Sequence, residues 1–464
     1  MKKLEKKFGL AMAICMVVGI VIGSGVFFKA QNVLDLTGGN VLHGVIAWLV
    51  GGAVMMIMSM TFAIMATKYE RTNGVMDYAE VTCGKTYAYF IGWFISFIYF
   101  PAMTGVLAWV SARYTMVAVF GYNANSPEAL FSPECIAIGA AYLIIFFAIN
   151  IVSPKLSEKI QVSTTVIKLI PIAFVALVGT IIGLVNGTLV ENFNFVGALA
   201  LNGQSAGNGI FAAVCCTAFA YEGWIIATSI NSEIKDSKKN LPLALLIGSG
   251  IVVVAYVCYY VGVLGLAGVE DVMANGTNSA FNFFGTVGAG IINFLIILSC
   301  LGTLNGLTVG CSRGLYSIAV RGEGPKPKFF SAVDESSNMP YNSAVFSLLV
   351  CIGWFVYFIG ASFFGWFGVF AFDSSELPII TIYLLYIPML VMFMIKEKEL
   401  GWVKRFLLPS LSIIGCVVMI TASIFNHKIA NLYYLAVFAV IMALGAIPLI
   451  ISKRASVKQE EISE

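Results

Sequence analysis

Glu222 and Lys168 are ionisable side chains inside apolar runs of this sequence. Glu222 falls in Phe219-Ala220-Tyr221-Glu222-Gly223-Trp224, about fourteen residues past Asn208, or roughly 21 Å along a helix. A carboxylate that deep in an apolar span is costly and marks a functional site unless it faces a cavity or a partner. Its structural alternative is a protonated acid packed between helices. Lys168 is counted from Ile160 as about eight residues, roughly 12 Å, into its run. It can snorkel to the surface, or it can be a buried ammonium that braces a neighbouring helix and that desolvation leaves able to give up its proton. The second case would allow proton coupling without a metal ion.

Glycines supply the third feature. Gly19-Ile20-Val21-Ile22-Gly23-Ser24-Gly25-Val26-Phe27 can unwind, because glycine is a poor helix former and takes backbone angles other residues avoid. The same Gly19/Gly23 spacing also suits close helix packing. Gly223 beside Glu222 tips the balance toward a pair of breaks. A half-helix amino end offers unpaired N–H groups and a positive dipole to an anion, and freed carbonyls accept from a cation. An α-amino acid meets both demands, with its carboxylate on the amides of Ser24, Gly25 and Val26 and its ammonium on carbonyls near Ile20 and Phe219. Asp373-Ser-Ser-Glu376 has capping-box spacing with aspartate as N-cap; the alternative is an acidic outer vestibule.

No catalytic constellation is expected. His43 and His427 stand far apart near membrane edges, which argues against histidine-based metal chemistry, and the ten cysteines show no paired spacing. They read as small packing residues, and no cofactor is implied. No G-x-x-x-x-G-K-[ST] loop occurs, so a nucleotide motor is not expected.

The elements that must position these residues follow from composition. The chain has 464 residues, 59% hydrophobic and 11% charged, against about 25% charged in soluble domains. It is an all-α polytopic membrane protein, and a net charge of +3 in scattered clusters suggests no nucleic-acid partner. Apolar segments cover 8–36, 41–66, 86–120, 134–152, 160–186, 208–231, 240–268, 289–320, 342–361, 371–395, 406–425 and 430–452, twelve candidate helices. The first is read as retained, because no cleavage site follows its basic start. Basic residues concentrate in the tails and alternate loops, at 2–7, 68–85, 155–159, 235–239, 321–328, 396–405 and 453–458. The opposite loops are assigned only Lys29, Arg113 and Lys428. Both termini are therefore expected in the cytoplasm. The breaks lie about 200 residues apart, each opening a five-helix block, which suggests an inverted repeat. The expected division is a tail (1–7), repeat 1 (8–186), repeat 2 (208–395), two peripheral helices (406–452) and a disordered polar tail (453–464).

These blocks resemble the amino acid-polyamine-organocation superfamily, nearest its L-type amino acid transporter and bacterial serine/threonine exchanger branch, from Phe8 to Ile395. The glycine run Gly19–Phe27 is similar to the family's unwound first helix. Phe219–Trp224 with Asn231–Pro242 is similar to its unwound sixth helix and the following loop. Leu301–Gly306, Ser312–Tyr316 and Arg321-Gly322 resemble its eighth helix, and Lys168 matches a fifth-helix lysine that replaces the sodium of related transporters. The resemblance implies five plus five inverted helices, alternating access, and Phe219 as an aromatic gate over substrate. Glu222 departs from the glycine of many L-type members, and the loop Thr67–Gly84 keeps only Gly74, Tyr78 and Gly84 of the usual pattern. Cys135 fits the fourth helix rather than a heavy-chain disulfide, so a single-chain, bacterial, plasma-membrane permease or exchanger is expected. Its cargo is expected to be a small or neutral L-amino acid. The alternatives are a cationic amino acid or polyamine carrier, motivated by Glu222, Asp373 and Glu376, and a sensor that has lost transport.

Overall fold

Twelve apolar segments become, among the described residues, ten helices long and apolar enough to cross a membrane, from Val41–Tyr69 to Ala430–Ile451. The two segments missing from that set are the first and the sixth. The first divides into Leu10–Val21 and Gly25–Leu36, and the sixth is the short helix Ala206–Ala220 followed by a turn. The computed structural model describes residues 9–69, 74–195, 206–225, 234–334 and 339–463. Residues 1–7, part of the Thr67–Gly84 loop and Asn231 to Glu233 therefore lie outside the described residues.

Long segments absorb their excess length by local change of pitch. Lys85–Phe94 passes through a wide π turn at Ile95–Tyr99 into Phe100–Phe120, and Pro154–Ile167 hitches at Lys168 before Leu169–Phe174. The broken segments sit among long helices that pack on them and on one another. Ser237–Leu266 packs along Val41–Tyr69 and Leu10–Val21, Ala206–Ala220 packs on Gly25–Leu36, and Gly285–Ala319 packs on Phe100–Phe120 and Pro154–Ile167. Exposed Leu, Ile, Val and Phe face outward on the perimeter, for example Val185, Val287 and Leu432, as lipid-facing surface requires.

Four expectations need correction. The polar tail is not irregular: helix Ala430–Ser463 continues through it, since Ala455, Lys458, Gln459 and Glu460 are good helix formers and no glycine or proline intervenes. Lys29 and Arg113 are not loop residues. Lys29 is buried in Gly25–Leu36, and Arg113 is buried in Phe100–Phe120, donating to the Ala124 carbonyl at 2.9 Å. Asp373-Ser-Ser-Glu376 forms no capping box. Glu376 itself is the N-cap of Leu377–Lys396 and makes no side-chain cap bond, while Asp373 Oδ1 accepts from the Ser375 amide at 2.6 Å.

Candidate functional site

The first break is built from the glycine run. Helix Leu10–Val21 stops because Ile22 is extended (φ −68°, ψ 108°), and Ser24 is the N-cap of Gly25–Leu36. The first bond of the second half-helix is donated by Phe28 N–H to the Ser24 carbonyl at 3.0 Å. The amides of Gly25, Val26 and Phe27 thus precede the ladder and point along the helix axis. Packing and unwinding, posed as alternatives on sequence, both hold here. A Cβ on Gly19 would meet Thr165, one on Gly23 would approach Thr303 Oγ1 to 2.8 Å, and one on Gly25 would strike the Ala220 backbone.

The second break has the same logic. Ala206–Ala220 ends in a turn over Tyr221, Glu222 and Gly223, where Gly223 has φ 107°, a left-handed value that favours glycine. Tyr256, fully buried on Ser237–Leu266, ties the two breaks together. Its hydroxyl lies within hydrogen-bond reach of two carbonyls, Val21 O at 3.1 Å and Ala220 O at 3.0 Å. Nothing in the sequence patterning singled out this tyrosine.

Lys168 sits at the hitch of the fifth segment with 0% exposure, and its ammonium donates to the Gly19 carbonyl at the end of the first half-helix. Gly23, Ser24, Gly25, Phe219, Ala220, Glu222, Gly223 and Lys168 all line one cavity of about 570 Å³. Val26, Tyr221 and Trp224 are buried but do not line it. Tyr221 donates to the Trp48 carbonyl at 2.8 Å, and Trp224 packs edge-on to Phe62 with ring centroids 5.4 Å apart. The side chain of Ile20 lies outside the described residues.

Glu222 is 6% exposed, faces Tyr99, and has one carboxyl oxygen, Oε1, with no hydrogen-bond partner. Unpaired buried polar atoms are expensive, so this oxygen is the least satisfied group on the cavity wall. Thr303 and Asn305, from Gly285–Ala319, line the same cavity. Asn305 continues into a polar chain: Ser157 Oγ donates to Asn305 Oδ1 at 3.0 Å and also bonds Asn150, whose amide donates to Thr308 Oγ1 at 2.7 Å. Sequence reading placed Thr303 and Asn305 in a motif block without assigning them to the site. Their spacing from Gly306 was the available signal.

One end of the cavity reaches Pro154, Glu158, Arg313 and Met339, near the lysine-rich loops. The other end is sealed. Phe219 meets Phe28 edge-on with centroids 5.9 Å apart, and Phe28 meets Trp109 at 5.5 Å. Above these rings the Lys29 ammonium lies 5.5 Å from the Phe219 centroid and 2.8 Å from Glu376 Oε1. Of the two acids expected to cap a helix or line a vestibule, Glu376 therefore belongs to a buried ion pair, while the half-buried Asp373 accepts from the Ser375 amide.

A sequence profile described as "Amino acid permease" matches residues 8–447. The serine/threonine exchanger SteT of Bacillus subtilis (strain 168) is 30% identical over 353 residues, 75% of this chain and 76% of that protein. The human cystine/glutamate transporter is 25% identical over 346 residues, 74% of this chain and 66% of that protein. The b(0,+)-type amino acid transporter 1 of Mus musculus is 25% identical over 354 residues, 75% of this chain and 69% of that protein.

Proposed function

The chain belongs to the amino acid permease family and transports amino acids across a membrane, and we propose that it does so by gripping a small neutral L-amino acid between its two helix breaks. The observation that carries this reading is the meeting of both breaks at one cavity, where the amides of Gly25 to Phe27 precede their helical ladder. The substrate carboxylate takes those amides, held by the positive end of the half-helix dipole. The ammonium takes carbonyls of Ile20 and Phe219, because Lys168 occupies the Gly19 carbonyl and the Tyr256 hydroxyl sits between those of Val21 and Ala220. A short side chain with a hydroxyl then faces the open oxygen of Glu222, consistent with the serine and threonine in the name of the bacterial exchanger.

The architecture we infer is twelve spans, with five-plus-five inverted repeats (8–186 and 208–395), peripheral helices (406–452) and both termini cytoplasmic. The cavity then opens inward, and Phe219 with Phe28 closes the outer side. Lys168 braces the first half-helix and exchanges a proton when the brace is released. This reading includes no heavy-chain disulfide at Cys135, which is buried with its thiol 3.2 Å from the Ala129 carbonyl.

A second reading, a cationic cargo, is favoured by the unpaired Oε1 of Glu222. Serine uptake into proteoliposomes decides between them. Competition by alanine and threonine but not by arginine or putrescine is expected. Competition by arginine or putrescine alone would replace the neutral reading with the cationic one.

A further inference from the structure

Behind the aromatic lid, three residues from three helices turn metal-ligating atoms toward one point. Cys215 comes from Ala206–Ala220, Glu376 from the start of Leu377–Lys396, and His427 from the end of Leu408–His427. Cys215 Sγ lies 3.4 Å from Glu376 Oε2, and His427 Nε2 lies 3.0 Å from the same oxygen. All three ligand atoms fall within 4.8 Å of one another. Tetrahedral zinc holds thiolate sulfur at about 2.3 Å and imidazole nitrogen or carboxylate oxygen at about 2.0 to 2.2 Å, so its ligands approach one another about as closely as these do. The expectation of no histidine-based metal chemistry considered only the distance between the two histidines. It could not see a cysteine and a glutamate, far away in sequence, meeting one of them.

The surroundings fit a cation. Glu376 Oε1, the oxygen turned away from the cluster, is held by Lys29 at 2.8 Å, with Ser375 also bonded to that ammonium at 3.1 Å. Hydrogen bonding of a ligating carboxylate through its other oxygen is the usual outer-shell support of a metal site. Lys29 supplies one positive charge against two carboxylates, Glu376 and the half-buried Asp373, both of which act on Lys29 and His427. A divalent ion bound with the Cys215 thiolate brings that group to neutrality. His427, with 11% side-chain exposure, is the ligand nearest solvent and gives the ion a way in.

We propose that Cys215, Glu376 and His427 form a site for a borderline-soft divalent cation, of which Zn²⁺ is the best match, and that the bound ion locks the outer face shut. Thiolate and imidazole donors select this class over Mg²⁺ or Ca²⁺. The ion crosslinks the half-helix bearing Phe219 to the helices beginning at Leu377 and ending at His427, so it opposes any separation of these three elements.

The binding arm needs no substrate and is independent of what the protein carries. Full-length purified chain is titrated with ZnCl₂, with thermal unfolding and bound zinc both measured, and with MgCl₂ as control. One bound zinc per chain and a rise of a few degrees in Tm are expected with zinc and not with magnesium. Cys215→Ser and His427→Gln should each weaken binding by about tenfold or more. Two variants are used so that a misfolded one leaves the other informative. Absence of zinc binding by folded protein, or binding unchanged in both variants, overturns the site. Substrate flux slowed by zinc in the wild type but not in His427→Gln supports the lock, and undiminished flux in zinc-loaded protein overturns it.

Discussion

Lys29 and Glu376 stand 347 residues apart in sequence, yet their charged atoms meet at 2.8 Å with side-chain exposures of 1% and 4%. The pair joins the second half of the broken first span to the start of the tenth segment. Removing one partner strands the other charge in a dry interior, which costs about 3–5 kcal/mol. Lys29→Met and Glu376→Leu should each lower Tm strongly in detergent, whereas the double variant should recover most of the loss. Additive losses in the double variant would show that the two side chains do not stabilise each other.

Lys168 presents a different bond, between an ammonium and the Gly19 carbonyl at the end of a half-helix. Lys168→Ala leaves that carbonyl without its donor, at a cost of about 1–3 kcal/mol, and frees the half-helix to drift. Transport is expected to vanish or to lose its pH dependence while the chain stays folded. Wild-type flux with an unchanged pH profile in proteoliposomes would remove Lys168 from the mechanism.

Both breaks were legible because their causes are local: Gly23 and Gly25 beside Ser24, and Gly223 beside an acid within an apolar run. Their registers follow from counting along helices. The charge cluster around Lys29 and Glu376 was not legible. Lys29 reads as a loop lysine and Glu376 as the third position of a capping box, since each has a satisfactory local explanation and the true partner lies in another span. Tyr256 shows the same limit: a tyrosine in an apolar helix is unremarkable until Val21 and Ala220 end beside its hydroxyl. One clue was present. Lys29 follows Gly25 by a single helical turn, so a half-helix starting at Gly25 had to contain it.

A charge-removing substitution at Glu222 tests the choice of cargo. Glu222→Gln keeps the volume and removes the negative charge, so neutral substrates should still compete for serine uptake and any arginine competition should disappear. Retained arginine competition in this variant would place cation recognition elsewhere on the cavity wall.

The end of the fold that carries Glu397 holds an acid-sensitive clamp. Glu397, at the end of Leu377–Lys396, pairs with Lys68 and accepts from the Tyr69 hydroxyl at 2.6 Å. Burial pushes its carboxyl up, but the bonds from Lys68 and Tyr69 outweigh burial and hold it below the usual glutamate range. A carboxyl depressed by folding stabilises the folded state above its unfolded value and loses that contribution as pH falls through the folded one. Tm should therefore drop as pH falls below about 4. Glu397→Gln should show a lower Tm at pH 7 and a shallower acid limb; identical acid limbs would exclude this clamp.

Gly25 distinguishes a substrate-facing amide from a packing contact. A Cβ added here points at the Ala220 backbone, where neither atom can swing aside. Gly25→Ala should therefore push the two half-helices apart, disturbing the Val21 and Ala220 carbonyls that share Tyr256, and lower both Tm and transport. Ser24→Ala, at an N-cap whose side chain makes no cap bond, should leave Tm nearly unchanged. Gly25→Ala with normal Tm and normal substrate affinity would mean that the two breaks do not need to touch for the site to form.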